Sequence, residues 1–240
     1  MQRYFAENND INNIILNKDD IFHITKVMRN NVDDEFQIVC NSEVFQAKIL
    51  NINPFKFEVI SKIEDNREND GYIRLLYCIP KGEKLDLVIQ KAVELGCSEI
   101  VLVNSSRCVR KLENTKDSNK LVRFHKIIKE ASEQCKRNKM MKLSDIISYK
   151  DIKKYTGDLS YIAYENSESS LLDLYQEIKN APGKTINILI GAEGGFSLEE
   201  VEYANSCGYK TITLGKRILR SETSCLYVLS LLTFFMEAKL

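Results

Sequence analysis

The chain has 240 residues, 44% hydrophobic and 28% charged, ordinary values that exclude a disordered, collagen-like or coiled-coil chain. Lys and Arg number 34, as do Asp and Glu, so an all-over basic nucleic-acid binder is excluded and only a polarised one remains open. The seven cysteines, at 40, 78, 97, 108, 135, 207 and 225, form no Cys-x-x-Cys pair and, with no signal peptide, read as free thiols in a reducing cytoplasm.

In chain order, residues 19–29 carry helical spacing, with Ile21, Ile24 and Met28 on one face. Residues 35–40, 44–50 and 55–60 alternate or run apolar between Asn, Ser and Pro turns and read as strands. This portion is expected to be a small β-barrel with one helix. The polar, Gly-terminated stretch 64–71 is the expected boundary between domains at 1–70 and 71–240.

Beyond it, residues 73–79 run almost continuously apolar, as a parallel strand buried on both faces does. A helix over 83–95 stops at Gly96, and a strand follows at 99–103. A long helix over 118–139 turns Leu121, Phe124, Ile128, Ala131 and Cys135 inward. Strands are expected at 160–164, 187–190 and 211–214, with a capping box at Ser197–Glu200 opening a helix that closes at Gly208. The pattern is α/β with a mainly parallel sheet. The apolar run 225–236 is too short to span a membrane and suits a core helix or a subunit interface.

Charge is unevenly spread. Residues 1–70 hold 8 basic and 13 acidic residues, a net of −5, and residues 71–240 hold 26 and 21, a net of +5. The stretch 107–154 alone has 15 against 6, a net of +9.

Three loops follow the last three strands, where open parallel sheets place ligands. They begin at Tyr164, Gly191 and Leu214. Three glycines within Gly191-Ala-Glu-Gly-Gly195 let backbone amides approach a ligand, although that loop alone is equally a tight turn. Neither GxxxxGK[ST] nor GxGxxG occurs. No cluster suggests a metal. His125 falls mid-helix without an evident partner.

Combination adds specificity. Gly191-Ala-Glu-Gly-Gly is followed by Leu214-Gly-x-Arg-Ile-Leu-Arg-x-Glu-Thr223, and with them go Gln90-Lys-Ala-x-Glu-Leu-Gly96, Glu130-Ala-x-Glu-Gln-x-x-Arg137, Arg3-Tyr-Phe and His23-Ile-Thr-Lys-Val-Met-Arg29. Together these resemble the RsmE family of small-subunit rRNA uracil-N3 methyltransferases over essentially the whole chain. The resemblance implies an N-terminal PUA-like β-barrel and a C-terminal SPOUT domain whose trefoil knot holds S-adenosylmethionine. It also implies a cytoplasmic homodimer acting on N3 of uridine 1498 in 16S rRNA, free or in the small ribosomal subunit. A non-catalytic RNA-binding or ribosome-assembly factor on the same scaffold, or a SPOUT enzyme acting on another RNA, is the alternative. Ala192, Phe22 and Met141 stand where the family usually has Pro, His and Pro, and Ser224 replaces the usual Ala.

On that reading, Arg220 stabilises charge on a uracil carbonyl. Glu222 orients Arg220, accepts a proton, or merely stabilises its helix start. The implied cofactor slot comprises Tyr164, Ile190, Gly191, Glu193, Gly194, Gly195, Leu214, Gly215, Ile218, Leu219 and Thr223, with Glu193 chiefly ordering its loop. RNA contacts are expected from Arg3, His23 and Arg29 near the N-terminus, and from Arg107, Arg110, Arg123, Lys126, Lys136 and Arg137.

Overall fold

A computed structural model describes residues 1–179 and 183–237. These divide into two compact units, residues 1–68 with 129–139, and residues 69–128 with 140–237.

The first unit is a four-stranded sheet in the order β1-β2-β3-β4. β1 (Arg3–Phe5) pairs in parallel with β2 (Glu35–Cys40), which forms an antiparallel hairpin with β3 (Glu43–Ile52), and β4 (Phe55–Ile63) pairs antiparallel with β3. Asn41 and Ser42 both take positive φ, at 51° and 66°, which gives the hairpin a twist matched to its strands. Helix α1 (Lys18–Phe22) is capped by the Asn17 side chain, which accepts the Asp20 N–H at 2.8 Å, and continues as a π-helical turn, His23–Val27. Tyr4, Leu16, Ile24, Phe36, Ile38, Ala47 and Ile49 form the core. Met28 lies outside it, exposed, because the π turn has rotated the expected helical face.

The second unit holds a seven-stranded sheet. β5 (Tyr72–Cys78) leads to helix α2 (Lys84–Glu94) and β6 (Glu99–Asn104). Helix α3 (Ser118–Gln134) precedes β7 (Lys142–Leu143) and β8 (Ile147–Ser148), and a 3-10 segment (Tyr149–Tyr155) leads into β9 (Leu159–Ala163). Then come α4 (Leu171–Lys179), β10 (Thr185–Ile190), α5 (Leu198–Ser206), β11 (Lys210–Ile212) and α6 (Ser221–Glu237). The order is β11-β9-β10-β5-β6-β7, with β8 also on β6, and every pairing is parallel. β10 therefore lies between β9 and β5, which places the ends of β9, β10 and β11 side by side. α6 buries Cys225, Val228, Leu229 and Leu232 and exposes Tyr227 and Phe234.

The long helix ends at Gln134, short of the expected 139. Lys136 takes φ 62° and acts as a left-handed cap without glycine,. Inside the first unit, Arg3 is buried and donates to the Lys136 carbonyl at 2.5 Å and to Asp65 at 2.7 Å. Glu68 accepts from Arg137 at 2.6 Å and from the N–H groups of Asn138 and Lys139 at 2.9 and 3.0 Å. These bonds hold residues 136–139 away from helical geometry.

The first unit also contains an unbalanced charge. Lys129 hydrogen-bonds Asp20 and lies 3.4 Å from Glu133, so one ammonium serves a buried and a half-buried carboxylate, and Asp20 Oδ2 has no hydrogen-bond partner among the described residues. Burial, and then the Asp20 charge, push the Glu133 carboxyl up from 4.5 to about 7. Because the folded value lies above the unfolded one, the ionised carboxylate opposes folding, and stability is lost as pH rises through 7. Glu133→Gln keeps an acceptor for the Phe5 N–H and should stabilise the protein by about 1–3 kcal/mol at pH 8. Denaturant titrations should show that gain fading towards pH 5; an equal gain at both pH values would contradict the assignment.

Candidate functional site

The loops after β9, β10 and β11 enclose a cleft of about 440 Å3 in the second unit, lined by Ile190, the Gly191–Phe196 loop, Ile218, Leu219 and Arg220, with Lys84, Ala163, Glu165, Ser221 and Ser224. It is of small-ligand size and combines apolar side chains with backbone polar groups, as binding sites do.

The β10 loop is tightly closed. The Gly195 N–H donates to Ala192 O at 2.9 Å, and Gly195 takes φ 63°. A Cβ on Gly191 would lie 3.2 Å from both Gly195 Cα and the Phe196 ring, tighter than an ordinary contact, so a side chain there would press the turn apart,. Ala192 and Gly195 also pair as an isolated bridge, which closes the turn without the rigidity of a proline. Arg107 braces it from outside, donating to Gly194 O at 2.6 Å.

Ser221 is the first residue of α6. Its hydroxyl donates to Gly191 O. Because that uses its single proton, the buried Tyr77 hydroxyl, 3.0 Å away, must donate to Ser221 Oγ,.

A charge cluster lies at the cleft. Lys84 Nζ is 3.0 Å from Glu193 Oε1 and 3.2 Å from Glu222 Oε2. Glu193 also accepts the Lys81 N–H, at 3.1 and 3.2 Å from its two oxygens. Burial pulls the Glu193 carboxyl upward, but the Lys84 and Lys81 bonds outweigh it and hold it below the usual range. The Lys84 ammonium is held above its ordinary range by its bond to Glu193, with Glu222 adding to it. Arg220 is exposed and has no side-chain partner among the described residues.

Among the expected cofactor residues, the cleft brings together Ile190, Gly191, Glu193, Gly194, Gly195, Ile218 and Leu219, and adds Arg220. Tyr164, Leu214, Gly215 and Thr223 lie outside its lining. Glu222 reaches it through Lys84. Sequence reasoning missed Lys84, although a lysine opening the helix after the first strand of a parallel sheet stands at the ligand end.

The basic residues separate clearly. Arg3 and Arg137 are buried and bonded inside the first unit, where both guanidiniums hold the fold together. Lys136 contributes its carbonyl to Arg3. His23 is half-buried, with Nδ1 2.9 Å from the Tyr4 hydroxyl. Arg29 is exposed, and like Lys18 and Lys26 it has no carboxylate partner among the described residues. Phe22, on the same segment, is 60% exposed. In the second unit, Arg107 is committed to Gly194, Arg110 lies 3.7 Å from Asp117 and Arg123 pairs with Asp86. Lys126 is exposed.

The RNA methyltransferase domain family matches residues 67–233, and the PUA domain family of RNA methyltransferases matches residues 16–60. The chain is 33% identical over 251 residues to the ribosomal RNA small subunit methyltransferase E of Bacillus subtilis, covering 99% of this chain and 98% of that protein. It is 33% identical over 232 residues to the Mesomycoplasma hyopneumoniae protein of that name, covering 96% and 98%. The crystal structure of the Neisseria gonorrhoeae ribosomal RNA small subunit methyltransferase E bound to S-adenosylmethionine matches with a TM-score of 0.84 at 27% identity, over 96% of this chain and 95% of that one. A Legionella pneumophila methyltransferase in complex with S-adenosylmethionine matches with a TM-score of 0.84 at 26% identity, over 97% and 96%. On these matches, which run nearly end to end in both chains, this chain belongs to the ribosomal RNA small subunit methyltransferase E family.

Proposed function

We propose that the cleft binds S-adenosylmethionine and that the chain methylates N3 of uridine 1498 in 16S rRNA, free or in the small subunit. The observation that carries this is the closed glycine loop beside Ile190, Ile218 and Leu219, with Arg220 unpaired on the same wall. The residues fit the cofactor. Gly191 leaves little room for a side chain of its own, backbone groups edge an apolar slot suited to an adenine, and the volume of about 440 Å3 suits a nucleoside-sized ligand,. Bound S-adenosylmethionine supplies an electrophilic methyl group. In this reading the SPOUT knot lies in the β10 and β11 loops, and Tyr227 and Phe234 of α6 contribute to a homodimer interface. A ribosomal substrate implies the cytoplasm.

Uracil N3 is an imide nitrogen, and losing its proton puts negative charge on the flanking carbonyl oxygens. The Arg220 guanidinium is free to donate to a carbonyl as that charge grows. Glu222, whose buried Oε2 has no hydrogen-bond partner among the described residues, is our choice to hold the proton.

RNA affinity in the first unit is assigned to Lys18, Lys26 and Arg29, with a base stacking on Phe22. Two features support this for a unit of net negative charge: much of its charge is paired internally, and unpaired cations share a segment with an exposed ring,.

Mass spectrometry of 16S rRNA incubated with the protein and S-adenosylmethionine should show one N3-methyluridine; no methylation would overturn the reading. In single-turnover transfer at saturating RNA, Arg220→Lys should lose about 10²–10³-fold in rate, because the charge remains but the fork does not. A wild-type rate would leave Arg220 only an RNA-positioning role. Phe22→Ala should weaken RNA binding by about 1–3 kcal/mol with an unchanged salt slope, whereas Lys26→Ala should flatten that slope. Unchanged affinity in the Phe22 variant would remove the stacking assignment.

A further inference from the structure

The charged residues lining the cleft are Lys84, Glu165, Glu193 and Arg220. Lys84 and Glu193 neutralise each other, 3.0 Å apart. That leaves Arg220 as the unpaired cation and Glu165 as the unpaired anion. Glu165 is exposed, and its carboxylate has no hydrogen-bond or ion-pair partner among the described residues. The turn that carries it is bonded on both sides. The Tyr164 N–H extends the ladder between β9 and β11, donating to Ile212 O at 2.9 Å, and the Ser167 N–H donates back to Tyr164 O at 3.2 Å, with Glu165 and Asn166 between them. Ser167 Oγ then bonds Thr211 Oγ1 at 3.0 Å, and the Thr213 N–H donates to Ser169 O at 2.9 Å. A carboxylate that serves no bond in its own fold is therefore held at the cleft by a pre-ordered turn.

We propose that Glu165 is a specificity-determining residue for the cofactor, accepting the α-ammonium of S-adenosylmethionine while the nucleoside occupies the apolar slot. The inference rests on the cofactor reading above. S-adenosylmethionine has two cationic centres, its sulfonium and its ammonium. The sulfonium has no N–H to donate, so only the ammonium can make a charge-assisted hydrogen bond to a carboxylate. The sulfonium also loses its charge as the methyl group leaves. An anion against it would stabilise the ground state more than the transition state and slow the transfer. The ammonium keeps its charge throughout, so a carboxylate there adds binding without opposing the reaction. Other adenine nucleosides present the same ring to the slot but no ammonium, and nucleotides present phosphates that this anion repels.

Calorimetry on the full-length protein tests this with three ligands: S-adenosylmethionine, S-adenosylhomocysteine and 5′-methylthioadenosine. The second keeps the ammonium but not the sulfonium charge, and the third lacks the whole amino-acid end. Glu165→Gln should weaken the first two by about tenfold each, the scale of one partly solvated charge-assisted bond. Glu165→Lys should weaken them further, because like charges then face each other. Neither variant should change the affinity for 5′-methylthioadenosine, which also shows that the slot is intact. Equal weakening of all three ligands would assign Glu165 to the nucleoside or to the fold and overturn the proposal. A loss confined to S-adenosylmethionine would place the carboxylate at the sulfonium and overturn it too, as would unchanged affinities throughout. A wild type that binds none of the three would overturn the cofactor reading, and with it the role given to Glu165.

Discussion

Ser221 sits where the ends of β5 and β10 meet the start of α6, and its hydroxyl is shared between two of them. It donates to the Gly191 carbonyl and accepts from the buried Tyr77 hydroxyl. Burial pushes the Tyr77 phenol far above its ordinary range, so Tyr77 remains a donor and the direction of the chain of bonds is fixed. Each group is expensive to leave unsatisfied in so dry a place. The wall of the cleft is thereby tied to the core of the sheet.

Strand order explains why that junction lies at the ligand end. β10 pairs with β9 at Leu189–Ile162 and with β5 at Ile190–Tyr77, so the loop leaving β10 emerges beside the end of β5. β11 pairs with β9 at Ile212–Ala163, which brings the last loop next to the other two. The glycines then allow the chain to turn back on itself, and Arg107, Lys84 and Ser221 each bond the loop or its charged side chain from a different element. The cleft is held by side chains distant in sequence.

That distance separates what the sequence made legible from what it did not. β2 to β6 and β9 to β11 follow from alternation or continuous apolar runs, whereas the two- and three-residue strands β1, β7 and β8 are too short to show a period; the Ser197–Glu200 capping box is present with both of its bonds. These signals are local. Helix α4 is equally local, with Leu171, Leu174 and Ile178 spaced on one face and Asp173 accepting from Ser170, although no element is expected there. The end of α3 was not local. Nothing near Cys135 announces a stop; Lys136 is held left-handed while its carbonyl serves Arg3, over a hundred residues away. For the same reason Arg3 and Arg137 read as cations for RNA, whereas their partners Asp65 and Glu68 lie 62 and 69 residues away along the chain. Within the site, the glycine loop and Arg220 stood out by residue type. Lys84 and Ser221 did not, because their significance lies in partners supplied by the topology. Whether Tyr164, Leu214, Gly215 and Thr223 meet a ligand rests on the family pattern alone, since they lie outside the cleft lining.

The central claim is that the cleft is a cofactor site pre-shaped by the Tyr77–Ser221–Gly191 bonds. Calorimetric titration of Ser221→Ala with S-adenosylmethionine, beside wild type and with circular dichroism to confirm folding, tests it most directly. The substitution leaves the Gly191 carbonyl and the Tyr77 hydroxyl without their partner, a loss of roughly 1–3 kcal/mol. The account predicts a folded variant whose cofactor affinity falls about tenfold or more. A folded Ser221→Ala that binds S-adenosylmethionine as tightly as wild type would contradict it.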